Sequence, residues 1–143
     1  MRRAVRFLRL PAAERRLALE AAATLTLVCA LLKALPFARM MRLLGLHEPG
    51  GPAAGAVDAS TARAVARAVA RASRNLPFPA VCLPQAAAAA VMLRRRGLAA
   101  EVHFGVAKRA GTVEAHAWSR CGDVLVSGGT DSPAFSPIAV FRA

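Results

Sequence analysis

The chain has 143 residues and carries 20 lysine and arginine side chains against 8 acidic ones, which gives a net charge of +12. This length suits one compact domain with a helical N-terminal extension, and the hydrophobic content of 56% excludes an intrinsically disordered chain. The basic balance fits nucleic acid, anionic lipid or an acidic peptide as a partner, but the low aromatic content of 5% disfavours nucleic acid.

The first predicted elements are helices rich in apolar and basic residues. Residues 1–10 hold four arginines, and residues 17–32 are almost wholly apolar. Their uncharged part is shorter than the roughly 18 residues of a membrane-spanning helix, so a buried core helix is the first interpretation. A signal peptide and docking to a membrane surface through the N-terminal arginines stay open. Pro36 is expected to break the helix, and Gly45 to end a short continuation.

A glycine- and proline-rich segment follows and is the clearest predicted linker in the chain. The chain is therefore expected to divide into hydrophobic and basic N-terminal helices over residues 1–46, a linker over residues 47–57, and a core over residues 58–143.

The core is expected to begin with a helix from Thr61 to about Asn75, capped by Asp58 or Ser60. One face of this helix carries a row of arginines, which we call the basic ridge: Arg63, Arg67, Arg71 and Arg74. The basic ridge is either a solvated helix face or a docking surface for an acidic peptide.

The segment from Pro79 to Gly97 predicts a buried helix with a cysteine at its start. Pro84 suits the first turn, five alanines follow, and Gly97 is placed as a C-terminal cap. Cys82 therefore lies at or just before the helix N-terminus, where partial positive charge favours a thiolate over a thiol. A lone cysteine is more often a small buried hydrophobe, so its role depends on residues further along the chain.

After this helix the hydrophobic pattern changes to alternation, which predicts antiparallel strands. The expected strands cover residues 99–107, 112–120, 124–127 and 138–141, with a loop over 128–137. The second strand carries Glu114, His116 and Trp118 on one face. His116 can accept the thiol proton of Cys82, and backbone N–H groups at the helix start can hold an oxyanion.

The other cysteines and histidines indicate neither a metal nor a disulfide. Cys29, Cys82 and Cys121 are an odd number without short spacing, and the histidines have no cysteine or carboxylate at metal-ligand spacing. Cys121 is expected at a hairpin tip as an exposed, oxidisable thiol. We expect no cofactor, and a reducing cytoplasm as the location.

Several short segments together suggest a family. They are Cys82-Leu83, Leu93-Arg94-Arg95-Arg96-Gly97-Leu98, Phe104-Gly105-Val106, Ala115-His116-Ala117-Trp118, Leu35-Pro36-Phe37 and the ending Phe-x-Pro-x-Ala-Val-Phe. Their combination resembles the lasso peptide biosynthesis B2 proteins, over roughly residues 17–141. The resemblance implies an α+β, papain- and transglutaminase-like fold in which the cysteine helix packs on a small antiparallel sheet.

The resemblance also implies an activity and partners. The protein is expected to be a bacterial cysteine peptidase that hydrolyses one bond, between the leader and the core of a ribosomally made precursor peptide. Cys82 is then the nucleophile and His116 the base and later the acid. A separate B1-type leader-recognition protein and an ATP-dependent macrolactam synthetase are the expected partners. Trp118, Arg67 and Arg71 are the expected binding residues for substrate or partner.

One position departs from the family pattern, which has an aspartate on the strand after the histidine. The corresponding residue here is Gly128. If residues 121–122 form the hairpin turn, Ser127 lies opposite His116. Asp131, just beyond the strand, is the candidate that orients the imidazole, with Ser127 or a backbone carbonyl as substitutes.

Two other functions stay open. A thioester on the cysteine can pass its acyl group to an amine, as in a transglutaminase. This reaction shares the thioester with hydrolysis and differs only in the acceptor, which is an amine instead of water. If no third catalytic residue exists, the chain can also be an inactive basic module that binds peptides. Replacing Cys82 by alanine separates catalysis from binding.

Overall fold

The computed structural model describes residues 1–48, 54–129 and 134–143, and these ranges form five α-helices and one four-stranded antiparallel sheet. The helices are α1 (Arg2–Leu8), α2 (Ala12–Ala34), α3 (Phe37–Leu43), α4 (Ala59–Asn75) and α5 (Cys82–Arg94). The strands are β1 (Glu101–Arg109), β2 (Thr112–Cys121), β3 (Val124–Ser127) and β4 (Ser136–Arg142), in the order β3-β2-β1-β4. The expected α+β fold is confirmed.

Helix α5 lies at the centre of the molecule. Its five consecutive alanines are 0% exposed, because α2 and α4 pack on one side and β2 and β3 on the other. Alanine is the strongest helix former and its small side chain allows close approach of the neighbouring elements. The helix ends as expected, since Gly97 has φ +68° and the N–H of Leu98 donates to the carbonyl of Leu93 at 3.1 Å.

Helices α2 and α4 extend this core rather than lying apart from it. Leu25 and Val28 of α2 and Val65 and Val69 of α4 are buried at helical spacing, and all four belong to the same hydrophobic cluster as the α5 alanines. Most of the predicted N-terminal helical segment is therefore joined to the core by apolar packing.

The ends of these helices follow local sequence signals. Helix α2 ends at Ala34, two residues before Pro36, and Gly45 follows α3 with φ +72°. Asp58 caps α4, because its carboxylate accepts a hydrogen bond from the backbone N–H of Thr61 at 3.2 Å.

Helix α2 is the one helix of the described ranges that is long and apolar enough to cross a membrane, judged by length and composition. The core helix of a soluble protein and a signal sequence meet the same criterion. One side of α2 is buried in the core, whereas Leu19 and Leu27 on its outer side are 58% and 49% exposed. The helix is compatible with a soluble or a membrane-associated protein.

Part of the predicted linker, residues 49–53, lies outside the described residues. Its preceding end is fixed to the last strand, because His47 and Arg142 exchange backbone hydrogen bonds of 2.9 and 2.7 Å. Its following end forms a parallel bridge between Ala56 and Leu98. Both described ends are thus hydrogen-bonded to the core.

The β2–β3 hairpin differs from the expectation by one residue. Cys121 pairs with Val124, so the turn consists of residues 122–123. Cys121 is the last residue of β2 and is 0% exposed, so the expectation of an exposed thiol at the tip is wrong. As part of β2, Cys121 lies on the same face of the strand as Ala117, and both side chains belong to the hydrophobic cluster around α5.

Candidate active site

Cys82 is the first residue of α5, as expected from the sequence. Val81 is the N-cap residue, and within the described ranges no side chain caps this end of the helix. The backbone N–H groups of the first turn are therefore without a side-chain acceptor there. The Gln85 amide donates to the carbonyl of Ala80 at 2.7 Å and holds the preceding segment. Cys82 is half-buried against the hydrophobic core. A nucleophile in this position has N–H donors beside it.

A short connection joins α5 to the sheet. The N–H of Leu98 bonds to the last turn of α5, and β1 begins three residues later at Glu101. The 13 residues of α5 span about 20 Å, and the helix packs mainly on β2 and much less on β1. Glu101 pairs with Arg120, whereas Gly105 pairs with His116. Helix α5 thus packs on the strand that carries His116, on the face lined by Ala117 and Cys121.

His116 is half-buried and makes one hydrogen bond and two contacts with aromatic rings. Its Nε2 atom lies 2.8 Å from the backbone carbonyl oxygen of Gly128. Its ring lies 6.0 Å from the Trp118 ring and 4.9 Å from the Phe135 ring, measured between centroids. The guanidinium of Arg109 covers the Phe135 ring at 5.3 Å. The imidazole thus contacts two aromatic rings, and one of its nitrogens is bonded to the backbone.

Trp118 is 5% exposed and stacks against a second histidine, which sequence reasoning did not assign to the site. The ring of His103 lies 5.6 Å from the Trp118 ring with an angle of 11° between the planes. Glu101 bonds to His103 at 2.9 Å and to Arg142 at 2.7 Å. Burial opposes ionisation of Glu101, yet the hydrogen bonds from Arg142 and His103 hold the pKa of this carboxyl below its usual value.

The turn between β1 and β2 explains why this arrangement was missed. Ala110 and Gly111 form a two-residue turn with positive φ angles, and this turn sets His103 opposite Trp118. We expected a longer turn beginning at Lys108. The alternating pattern already put Glu101 and His103 on one face, but the cross-strand partners depend on the turn.

Cys82 and His116 have different surroundings. Ala117 and Cys121, which alternate with His116 and Trp118 along β2, belong to the same hydrophobic cluster as α5. No hydrogen bond joins the thiol to the imidazole in the described part of the chain. Catalytic hydrogen bonds are often long before substrate binds, and the pairing of these two side chains stays a prediction.

Of the candidates for a third catalytic residue, the structure describes Ser127 and the backbone carbonyl. Asp131 lies outside the described residues. Ser127 pairs with Ser119, and their buried hydroxyl groups lie 2.7 Å apart, so the expectation that Ser127 faces His116 is wrong. The cause is the turn at residues 122–123 together with a bulge after Ser119. Of the substitutes, the backbone carbonyl is the one that bonds to the imidazole.

The basic ridge is divided between two surroundings. Arg67 is exposed, and Arg71 forms an ion pair with Glu14 of α2 at 3.6 Å. The C-terminal half of the ridge lines a groove of about 650 Å³ between α1, α2 and α4, which we call the N-terminal groove. Its cationic lining residues are Arg3, Arg6, Arg71 and Arg74, and its apolar lining includes Phe7 and Leu19.

In the described ranges, no cluster of three His, Cys, Asp or Glu side chains is placed to hold a metal ion.

The chain matches a model of a known protein family. A family model described as the transglutaminase-like superfamily matches residues 23–140. No curated protein and no solved structure matches the chain. The matched range begins within α2 and includes α5 with Cys82 and β2 with His116. Because the match covers well over half of its length, the chain belongs to the transglutaminase-like superfamily.

Proposed function

We propose that this protein is a cysteine peptidase that removes the leader from a ribosomally made, lasso-type precursor peptide. Membership of the superfamily fits a cysteine-protease-like or acyl-transferase-like role. The observation that carries the proposal is the position of Cys82 as the first residue of the buried helix α5, which packs on the strand that carries His116. The choice of a lasso-type leader rests on the resemblance of the segments around these two residues.

In the proposed reaction, His116 accepts the proton of the Cys82 thiol, and the thiolate attacks the carbonyl carbon of the scissile bond. N–H groups at the start of α5 stabilise the negative oxygen of the tetrahedral intermediate. The C–N bond then breaks, and the imidazolium gives its proton to the departing amine of the core peptide. Water, deprotonated by His116, hydrolyses the remaining thioester and releases the leader as a carboxylate.

An acyl transferase is the second candidate, because it shares every step up to the thioester. An amine then replaces water as the acceptor, and the leader becomes an amide. The superfamily match supports both outcomes equally. Incubation with a primary amine such as methylamine distinguishes them, since transfer adds the amine to the leader and hydrolysis leaves a free carboxylate.

The N-terminal groove supports the proposal of a docking partner. Its guanidinium groups around an apolar floor complement an amphipathic acidic segment, such as part of a leader or of a separate B1-type leader-recognition protein. Arg71 lies in the groove, and Arg67 lies outside it on the exposed face of α4. A macrolactam synthetase that closes the released core is the further proposed partner.

The test is mass spectrometry of a lasso-type precursor incubated with this protein and a leader-recognition protein. We expect one cut at a single site, and loss of at least about 1,000-fold in rate for both Cys82→Ala and His116→Ala. Cys29→Ala is the matched control, because burial raises the pKa of the Cys29 thiol and disfavours its thiolate. Cleavage that persists in Cys82→Ala contradicts the proposal. Bound precursor without any cut favours an inactive binding module.

A further inference from the structure

The hydrogen bond between His116 and Gly128 has a defined direction. A carbonyl oxygen can only accept, so the proton in the 2.8 Å contact lies on Nε2 of His116. In a neutral imidazole, one nitrogen carries the proton and the other carries the lone pair. The contact therefore leaves Nδ1 as the basic nitrogen of the ring.

We infer that the backbone carbonyl of Gly128 is the positioning group that fixes the tautomer and the orientation of His116, in the role that a carboxylate has in other Cys-His sites. The inference deepens the proposed function, because only a catalytic His116 makes Nδ1 the acceptor of the Cys82 proton. Gly128 does not touch the reacting atoms and acts only through His116.

The backbone around Gly128 is shaped for this contact. Gly128 follows β3 directly and has φ +111°, a conformation that residues with a side chain rarely adopt. A Cβ atom at this position would collide with the Cβ of Trp118 and would lie 3.4 Å from Nε2 of His116. The carbonyl therefore reaches the imidazole only because residue 128 has no side chain.

Two aromatic rings complete the positioning of His116. Trp118 stacks on the imidazole at an angle of 23°, and Phe135 contacts it at 4.9 Å. These contacts restrict the ring plane, and the hydrogen bond to Gly128 then selects which nitrogen carries the proton. Since the Gly128 carbonyl is uncharged, the contacts made by the described residues orient the ring through geometry and supply no negative charge.

The first test is ¹⁵N NMR of the histidine rings in the full chain at a pH where they are neutral, with His116 assigned by comparison with His116→Gln. We expect His116 in the Nε2–H tautomer, and we expect the same tautomer in Asp131→Ala. A predominant Nδ1–H tautomer, a mixture of both, or a change of tautomer in Asp131→Ala overturns the inference.

The second test measures cleavage by the same variants. We expect Asp131→Ala to keep its rate within about threefold of the unchanged protein, because the positioning group is already present in the backbone. Gly128→Ala should lose at least about tenfold in rate and lose the Nε2–H preference, if it folds. Gly129→Ala is the matched control, because its φ of +66° imposes similar strain while an added Cβ meets no atom of the described residues within 4 Å.

The two proposals can fail separately. If Cys82→Ala has no effect on cleavage, the proposed function is wrong, yet the NMR measurement still decides whether Gly128 fixes the tautomer. If cleavage requires Cys82 and His116 but drops 100-fold or more in Asp131→Ala, as expected on removal of a catalytic carboxylate, the function stands and the inference about Gly128 is wrong.

Discussion

The surroundings of Cys82 and those of His116 are built on different principles. Cys82 begins a helix of small apolar residues, and its position follows from the helix and from the apolar packing of that helix against its neighbours. His116 is held by a backbone carbonyl and by two aromatic rings, which come from its own strand and from the residues that follow β3. The position of Cys82 therefore depends on apolar packing, whereas the orientation of His116 depends on one hydrogen bond and two ring contacts.

The largest expected loss of stability comes from removing the Trp118 ring, which contacts both His103 and His116. Trp118→Ala should lower the free energy of unfolding by about 3–5 kcal/mol, because it empties a buried volume between His103 and His116. Urea denaturation measures this change. Phe37→Ala, at a ring that is 40% exposed, should cost much less. Equal losses in the two variants would contradict the role assigned to the Trp118 stack.

An intermediate effect is expected from filling space beside α5. Ala88→Leu should destabilise the fold by about 1–3 kcal/mol, because residue 88 is 0% exposed and its neighbours leave no room for three more carbon atoms. Ala23→Leu is the matched control, since Ala23 is exposed on α2 and alanine and leucine differ little in helix propensity. If Ala88→Leu is as stable as Ala23→Leu, the space around α5 is not tightly filled.

The smallest expected effect comes from the carboxylate beside His103. Hydrogen bonds keep the pKa of Glu101 below its unfolded value near 4.3, so the folded protein binds fewer protons there. The stability that Glu101 contributes is present above pH 4.3 and is lost as the pH falls through its folded pKa. Glu101→Gln should cost about 1–2 kcal/mol at pH 7 and less at pH 3, as measured by denaturation at both pH values.

Glu114→Gln provides the comparison for Glu101→Gln. Glu114 is 49% exposed and lies 3.8 Å from Arg109, so its replacement should change stability by less than about 0.5 kcal/mol at either pH. A pH-independent loss in Glu101→Gln would show that its carboxylate charge does not stabilise the fold.

The comparison of the two regions also explains what the sequence could predict. The position of Cys82 followed from Pro84, the alanines and Gly97, because helix boundaries depend on neighbouring residues in the chain. The alternation in β2 correctly put His116 and Trp118 on one face. Local patterns were therefore sufficient for the elements that carry the candidate site.

The contacts between elements were not predictable in the same way. Ser127 was expected opposite His116 and instead faces Ser119, because the choice between two adjacent turns shifts the whole register. The bulge after Ser119 and the pairing of β4 with β1 have no local signature. The bond from His116 to Gly128 depends on the register between β2 and β3, which is why the backbone carbonyl was only one of several substitutes.

The alanine segment of α5 has a further consequence for the entropy of folding. Alanine has no side-chain rotamers to lose, so ordering these five residues costs only backbone entropy, although each residue buries little area. A helix of leucines would bury more surface but would also have to fix many side-chain torsions. Cys82 therefore begins a helix whose central alanines have no side-chain torsions to fix when the protein folds.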